Sequence, residues 1–384
     1  MSRWHILAVL FTVRTVMGFQ YQSVAAVGPL VSRDPGVELA DIGVLIGLYL
    51  APGVFLALPG GEIGRRFGDK ATVLAGLALM IVGGLLMAIS TDRSAQVGGR
   101  LLAGTGGVLL NVLMSKMVTD WFAGREIATA MAIFVNSWPA GIAVALVLLP
   151  PVGTAFGVGA VFLLAAALAA VAMILLGVLY RSPETANGSP DNAVPDRVNT
   201  MAVVTAGLIW SFFNIGFAMV FSFGPSMLAE RGWPVAAAGS AVSIMLWLAI
   251  LSVPLGGLLA DWTKSPRVII VAGCLSFSVL LVVGARIDAT IPVFIALGII
   301  GGLPAGSIMS LPAGVLAPNT RAIGMGLFYT VFYLGMGAGP IAAGWIATSA
   351  GSASAAFDFG AVMLLACVPS LWIFSRLSAT AAGR

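Results

Sequence analysis

The run Val24-Ala25-Ala26-Val27-Gly28-Pro29 carries a Gly-Pro pair that returns 196 residues later as Gly224-Pro225, in Phe221-Ser222-Phe223-Gly224-Pro225-Ser226. The same offset places Gly36 on Gly232, Gly43 on Gly239, Gly60-Gly61 on Gly256-Gly257, Gly106 on Gly302, Arg125 on Arg321 and Gly141 on Gly337. With 48 glycines in 384 residues, one or two such matches would be chance. A single ungapped offset that also carries a Gly-Pro pair, a Gly-Gly pair and a loop arginine is not. The chain reads as two copies of one unit.

That unit belongs in a membrane. A chain with 59% hydrophobic and 9% charged residues and a mean hydropathy of +1.05 cannot present a water-soluble surface. A helical crossing needs about 20 mostly apolar residues, and charge-poor stretches of that length fall near 5–31, 40–61, 70–90, 96–118, 126–149, 157–180, 198–224, 235–260, 267–285, 291–316, 322–347 and 356–375. The first is too long for a signal-peptide core and lacks a small-residue cleavage site, so it reads as a crossing. The one long polar stretch, with Ser182-Pro183, Asn187-Gly188, Ser189-Pro190 and Pro195-Asp196, reads as a linker. The expected fold is therefore an all-α membrane protein with twelve transmembrane helices in two pseudo-symmetric six-helix halves, 1–180 and 198–384, joined by a cytoplasmic linker at 181–197.

Basic residues set the expected orientation. With the N-terminus cytoplasmic, that face holds Arg3, Arg65, Arg66, Lys70, Lys116, Arg125, Arg181, Arg197, Lys264, Arg267, Arg321, Arg376 and Arg384, and the other holds Arg33, Arg93, Arg100, Arg231 and Arg286. Thirteen against five, with Arg14 inside a span, accounts for all 19 Lys and Arg and puts both termini in the cytoplasm of a cell whose inner membrane the chain spans. The net charge of +4 is then a topology signal of a bilayer protein and no nucleic-acid footprint.

The loop after the second span, Gly61-Glu62-Ile63-Gly64-Arg65-Arg66-Phe67-Gly68-Asp69-Lys70, resembles the G-x-L-A-D-R-x-G-R-K motif of the major facilitator superfamily, with two charges exchanged: Arg65 stands where the family has Asp, and Asp69 where it has its second Arg. The weaker second copy, Gly257-Leu258-Leu259-Ala260-Asp261-Trp262-Thr263-Lys264, keeps the acid, and Arg100, Gly104 and Gly106 meet a family-like Arg-x-x-x-Gly-x-Gly pattern. Arg14 followed by Gly28-Pro29 looks like the cyanate permease group. The resemblance implies a transporter with its substrate between the halves, and a gating role for Gly61, Arg65, Arg66, Gly68, Asp69, Asp120, Glu126 and Asp261, in which Arg65 meets Asp120 or Glu126. The plainer reading of Arg65, Arg66 and Lys70 is as positive-inside anchors.

The chemistry centres on Arg14, roughly 15 Å into the first span by helical rise. Intramembrane charges are expensive and usually face a cavity or a partner, and no carboxylate sits at comparable depth, since Asp41, Glu230, Asp288 and Asp358 lie near the outer ends and Asp69, Asp120, Glu126 and Asp261 near the inner. Either an anionic substrate supplies the counter-ion, which the planar guanidinium fork suits, or Arg14 bonds backbone carbonyls of a neighbouring span or reaches cytoplasmic water. Gly18, Tyr21 and Gln22 share its helical face, which reads as polar and open. The repeat maps Arg14 to Trp210, Gly18 to Asn214 and Tyr21 to Phe217, an aromatic, amide-bearing wall opposite the cation. Asn111, Asn136, and the i, i+4 pair Tyr329 and Tyr333 complete the candidate substrate site; Ser115, Ser137, Ser243, Ser307 and Ser310 bind a ligand or hydrogen-bond between helices. Arg100 either lines an outward vestibule or snorkels.

His5 is the only histidine, and the sequence has no phosphate loop and no cluster for a metal or hydrolytic site, so neither an enzyme nor a cofactor is expected. The absence of a deep acid leaves facilitated uptake, anion exchange, or symport in which a proton travels with the substrate. The reading is a carrier of a small anionic solute; the alternatives are an efflux carrier for amphipathic compounds and a non-transporting sensor or scaffold.

Overall fold

A computed structural model describes residues 2–33, 36–122, 126–182, 197–317 and 320–382. Arg125 and most of the expected linker fall outside them. Among the described residues every element is helical. Span 1 is Arg3–Ala26, continued by Gly28–Val31; span 2 is Leu39–Leu50, Gly53–Leu56 and Gly60–Phe67; spans 3 and 4 are Asp69–Ile89 and Arg93–Phe122. Span 5 is Ile127–Val135 with Ser137–Phe156, and span 6 is Val158–Leu179. Spans 7, 8 and 9 are Arg197–Glu230, Val235–Thr263 and Pro266–Gly284; span 10 is Thr290–Gly301, Leu303–Ser310 and the 3₁₀ turn Leu311–Gly314; spans 11 and 12 are Arg321–Ala350 and Ser354–Ala382. Eleven of these crossings are long and apolar enough to traverse a membrane by composition alone. Span 1 is the twelfth, its hydropathy lowered by Arg14, Gln20 and Gln22.

Proline explains most interruptions, because it removes a helix N–H and crowds the preceding turn. Span 1 pauses at Val27 before Pro29, and span 10 restarts with Pro304 and Pro312 in its new first turns. Span 7, by contrast, runs unbroken through Pro225 to Glu230, beyond the expected end at 224. Spans 2 and 3 are joined through Gly68, whose φ of +86° is a conformation that side chains rarely adopt.

Small residues bring the halves together. A Cβ on Gly43 or Gly47 of span 2 would strike the carbonyls of Pro340 or Gly337 on span 11, and one on Gly239 of span 8, the repeat mate of Gly43, would strike the carbonyl of Leu146 on span 5. The contact of spans 2 and 11 is thus repeated by spans 8 and 5, as a two-fold arrangement of the copies requires, and it depends on close backbone approach.

Arg100 neither lines a vestibule nor snorkels. It is fully buried, and its Nε, Nη1 and Nη2 donate to the carbonyls of Leu45, Gln20 and Tyr21 at 2.8, 3.0 and 2.6 Å, with the guanidinium carbon 4.8 Å from the Tyr49 ring centroid. One fork ties span 4 to spans 1 and 2.

The face that carries most of the basic residues is held by pairs within the N-terminal half. Lys116 of span 4 reaches Asp69 of span 3 at 2.5 Å and Asp120 at 3.2 Å; Lys70 donates to the carbonyls of Gly177 and Tyr180 at 2.8 Å each, capping the C-terminus of span 6; Arg3 meets Glu126 at 2.7 Å. The expected bond from Arg65 to Asp120 or Glu126 is absent, because Lys116 and Arg3 already occupy those acids and Arg65 instead pairs with Glu62 one turn away at 2.6 Å. Arg65, Arg66, Gly61 and Asp261 are exposed.

Two outcomes test this. Arg100→Lys retains the charge but cannot fork across three carbonyls, so it should lower the thermal unfolding midpoint in detergent, equivalent to about 2–4 kcal/mol at about 1.5–3 kcal/mol per charged hydrogen bond lost. Lys116→Ala should slow transport far more than Arg65→Ala, whose exposed pair contributes roughly 0–1 kcal/mol; equal transport rates for the two variants would contradict the assignment.

Candidate functional site

Arg14, Asn111 and Tyr333 lie at one level, each about eleven or twelve residues from the basic-face end of its helix, roughly 17 Å at 1.5 Å per residue. Arg14 Nε donates to Asn111 Oδ1 at 3.1 Å, and Asn111 Nδ2 donates to the Tyr333 hydroxyl at 2.8 Å, so a single amide links spans 1 and 4 of one half to span 11 of the other. Arg14 Nη1 donates to the carbonyls of Phe134 and Val135 at 3.0 and 3.1 Å and lies 3.5 Å from Ser137 Oγ. Those carbonyls face Arg14 because span 5 breaks at Asn136, the last residue before Ser137 starts its second segment. The Phe134 ring sits under the guanidinium, 4.7 Å from its carbon.

All these partners are neutral. Among the described residues every acid is engaged or exposed far from this level: Asp41 pairs with Arg93, Asp358 with Arg286, Glu230 with the Ala353 amide, and Asp69 and Asp120 with Lys116. The site holds a cation without a counter-ion.

Across from it stands an aromatic wall. Trp210 stacks on Phe213 at 5.7 Å and meets Phe332 at 6.2 Å; Phe332 touches Tyr333 at 5.2 Å and Tyr329 at 6.3 Å; Phe217 continues the wall on span 7, 6.1 Å from Phe213. Asn214 spends its amide nitrogen on the Trp210 carbonyl at 2.7 Å and stays partly exposed, as do Trp210 and Phe217. The sequence reading missed Phe332 and Phe213; their signal was their position one residue before Tyr333 and three residues after Trp210.

The face of span 1 above Arg14 is closed, against expectation. Val16 through Pro29 are all buried. The Gly18 face is filled by the carbonyl of Trp138 at 2.6 Å from where a Cβ would stand. Tyr21 lies among Trp138, Tyr49 and Phe221 at 5.1, 5.6 and 6.2 Å, and Gln22 Nε2 donates to the Phe221 carbonyl at 2.6 Å across the two halves. Tyr21, Gln22 and Phe221 therefore belong to a seal on the face away from the basic loops. Within it the oxygens Tyr21 Oη, Gln22 Oε1, Ser222 Oγ and Ser226 Oγ are buried without a hydrogen-bond partner. Asn136 also joins the halves, donating to the Ile250 carbonyl at 3.4 Å, whereas Ser115, Ser243 and Ser310 turn back onto carbonyls of their own helices.

Toward the basic face span 1 opens. Trp4, Ala8 and Thr12 are exposed, and Trp4, Leu7, Ala8, Phe11, Thr12 and Ile133 line a cleft of about 330 Å³. It ends one turn from Arg14 and next to Phe134. The arrangement is a central cation reached from the basic face and sealed from the other.

The 4-hydroxybenzoate transporter PcaK of Pseudomonas aeruginosa is 24% identical over 283 residues, 60% of this chain and 60% of that protein. The uncharacterised transporter YycB of Bacillus subtilis is 24% identical over 363 residues, 90% of this chain and 87% of that protein. The chain spans about half the length of some curated relatives it matches, 45% and 60% for two of them. In fold it is similar to the bacterial homologue of the human lysosomal transporter Spinster in its inward-facing, unoccupied conformation, with a TM-score of 0.73 at 15% identity over 99% of this chain and 96% of that one. The sequence profile of the Major Facilitator Superfamily matches residues 10–313 and 206–383. With twelve helices in two copies of six and a family profile over nearly its whole length, the chain is a multi-pass membrane protein of the Major Facilitator Superfamily.

Proposed function

We propose that the chain carries a small anionic solute across the membrane, with the two six-helix halves rocking about the Arg14 level to expose it to each face in turn. The observation that carries this reading is Arg14: a guanidinium at mid-membrane held only by an amide, carbonyls and a ring. Burying a charge without an opposite one is costly, and an arriving anion supplies what the protein does not. PcaK, whose printed substrate is a carboxylate, supports the class.

The basic face is the cytoplasmic one by the positive-inside rule, which sets both termini in the cytoplasm and the membrane as the inner membrane of a bacterial cell. The Asn111 bridge is a joint between halves that breaks and reforms during the cycle, and Gly61, Arg65, Arg66, Gly68, Asp69, Asp120, Glu126 and Asp261 form the loop region that moves with it. With no acid among the described residues at the level of Arg14, a proton that takes part in transport rides on the solute.

Uptake into liposomes tests the reading. Arg14→Ala should abolish anion uptake or weaken binding about thirtyfold or more, as removal of a buried charged partner costs about 2–5 kcal/mol. Arg14→Lys should retain a minor part, since an ammonium cannot serve Asn111 and two carbonyls together. Transport of cationic amphiphiles that survives Arg14→Ala would instead make the chain an efflux carrier.

A further inference from the structure

Resting on the anion reading, we infer that the solute is a carboxylate borne on a planar aromatic body, held by Arg14 and the Tyr333 hydroxyl with its ring against Trp210, Phe332 and Tyr329. Three features carry this.

The first is the bond order at Tyr333. A phenol oxygen both accepts and donates. Asn111 Nδ2 donates to it, and Asn111 Oδ1 is taken by Arg14, so the amide cannot turn round to accept from the phenol. Among the described residues nothing accepts the Tyr333 proton. It is a second donor beside the guanidinium, and two donors at one end suit the two oxygens of a carboxylate.

The second is the wall. Trp210, Phe332 and Tyr329 make one connected surface with neighbouring centroids 6.2 and 6.3 Å apart, and Phe332 lies 5.2 Å from the ring of Tyr333. A compact oxyanion uses none of it. A ring attached to the carboxylate gains both apolar burial and aromatic contact.

The third is the route. The cleft that ends beside Phe134 is lined by Trp4, Leu7, Ala8, Phe11 and Ile133, with Thr12 the single hydroxyl. A hydrated inorganic anion loses water there with no compensating contact, whereas an apolar body gains contact along the way.

The test is a binding series on purified full-length protein, with benzoate, cyclohexanecarboxylate, acetate and nitrate as probes and tetraphenylphosphonium as the cationic control. Benzoate should bind about tenfold or more tighter than acetate, a difference of roughly 1.4 kcal/mol or more, and tighter than cyclohexanecarboxylate. Trp210→Ala should reduce the benzoate preference to about threefold or less while leaving acetate binding unchanged, and Tyr333→Phe should weaken benzoate and acetate equally. A Trp210→Ala variant that failed to fold would show a lowered unfolding midpoint without ligand; Trp210→Leu then replaces it, and should lose the benzoate preference over cyclohexanecarboxylate. Nitrate or acetate binding as tightly as benzoate in an Arg14-dependent manner would overturn the aromatic assignment and leave the anion reading standing. Binding of tetraphenylphosphonium alone would overturn both.

Discussion

A guanidinium inside a membrane cannot rely on water, so the protein must answer each of its N–H groups or leave it for a ligand. The two intramembrane arginines answer this differently. Arg100 has three carbonyls and a tyrosine face, all from its own half, and is closed to any visitor. Arg14 has an amide, two carbonyls and a phenyl face, stands partly exposed at the end of a cleft, and through Asn111 touches the other half. The first fixes spans 1, 2 and 4 as a body; the second sits where that body meets its copy. Removing the rigid anchor would let the level of Arg14 shift against Tyr333, so the geometry of the site depends on an arginine that never meets the solute.

The repeat gave each close approach twice. Gly43 against span 11 and Gly239 against span 5 are one contact seen from either copy. Symmetry fails where the residues differ: Arg14 maps to Trp210, and Pro29 interrupts its helix while Pro225 does not. The two copies share a scaffold and divide the chemistry, one offering the cation and the other the rings.

Much of this was legible in the sequence. Hydropathy and glycine spacing gave the crossings and their pairing, because membrane depth and close backbone contact demand particular residue types. Arg14 stood out because charge at that depth is rare. What sequence could not convey was which side-chain face is filled. Gly18, Tyr21 and Gln22 lie on the Arg14 face by helical spacing, but span 5 and span 7 close over them, a fact set by tertiary approach and not by periodicity. For the same reason Arg100 looked like a surface residue until spans 1 and 2 were seen to present carbonyls to it, and Arg65 looked like a gate partner until Lys116 was found nearer the acids.

The seal beyond Arg14 carries a further consequence. Its rings fit together, yet four of its oxygens, on Tyr21, Gln22, Ser222 and Ser226, go without partners, at a cost of about 1–3 kcal/mol each. Parting the halves on that face loses aromatic contact and hydrates those atoms at the same moment. The closure thus works against itself, and the opposing terms keep the shut and parted forms close enough in free energy for a bound solute to tip between them.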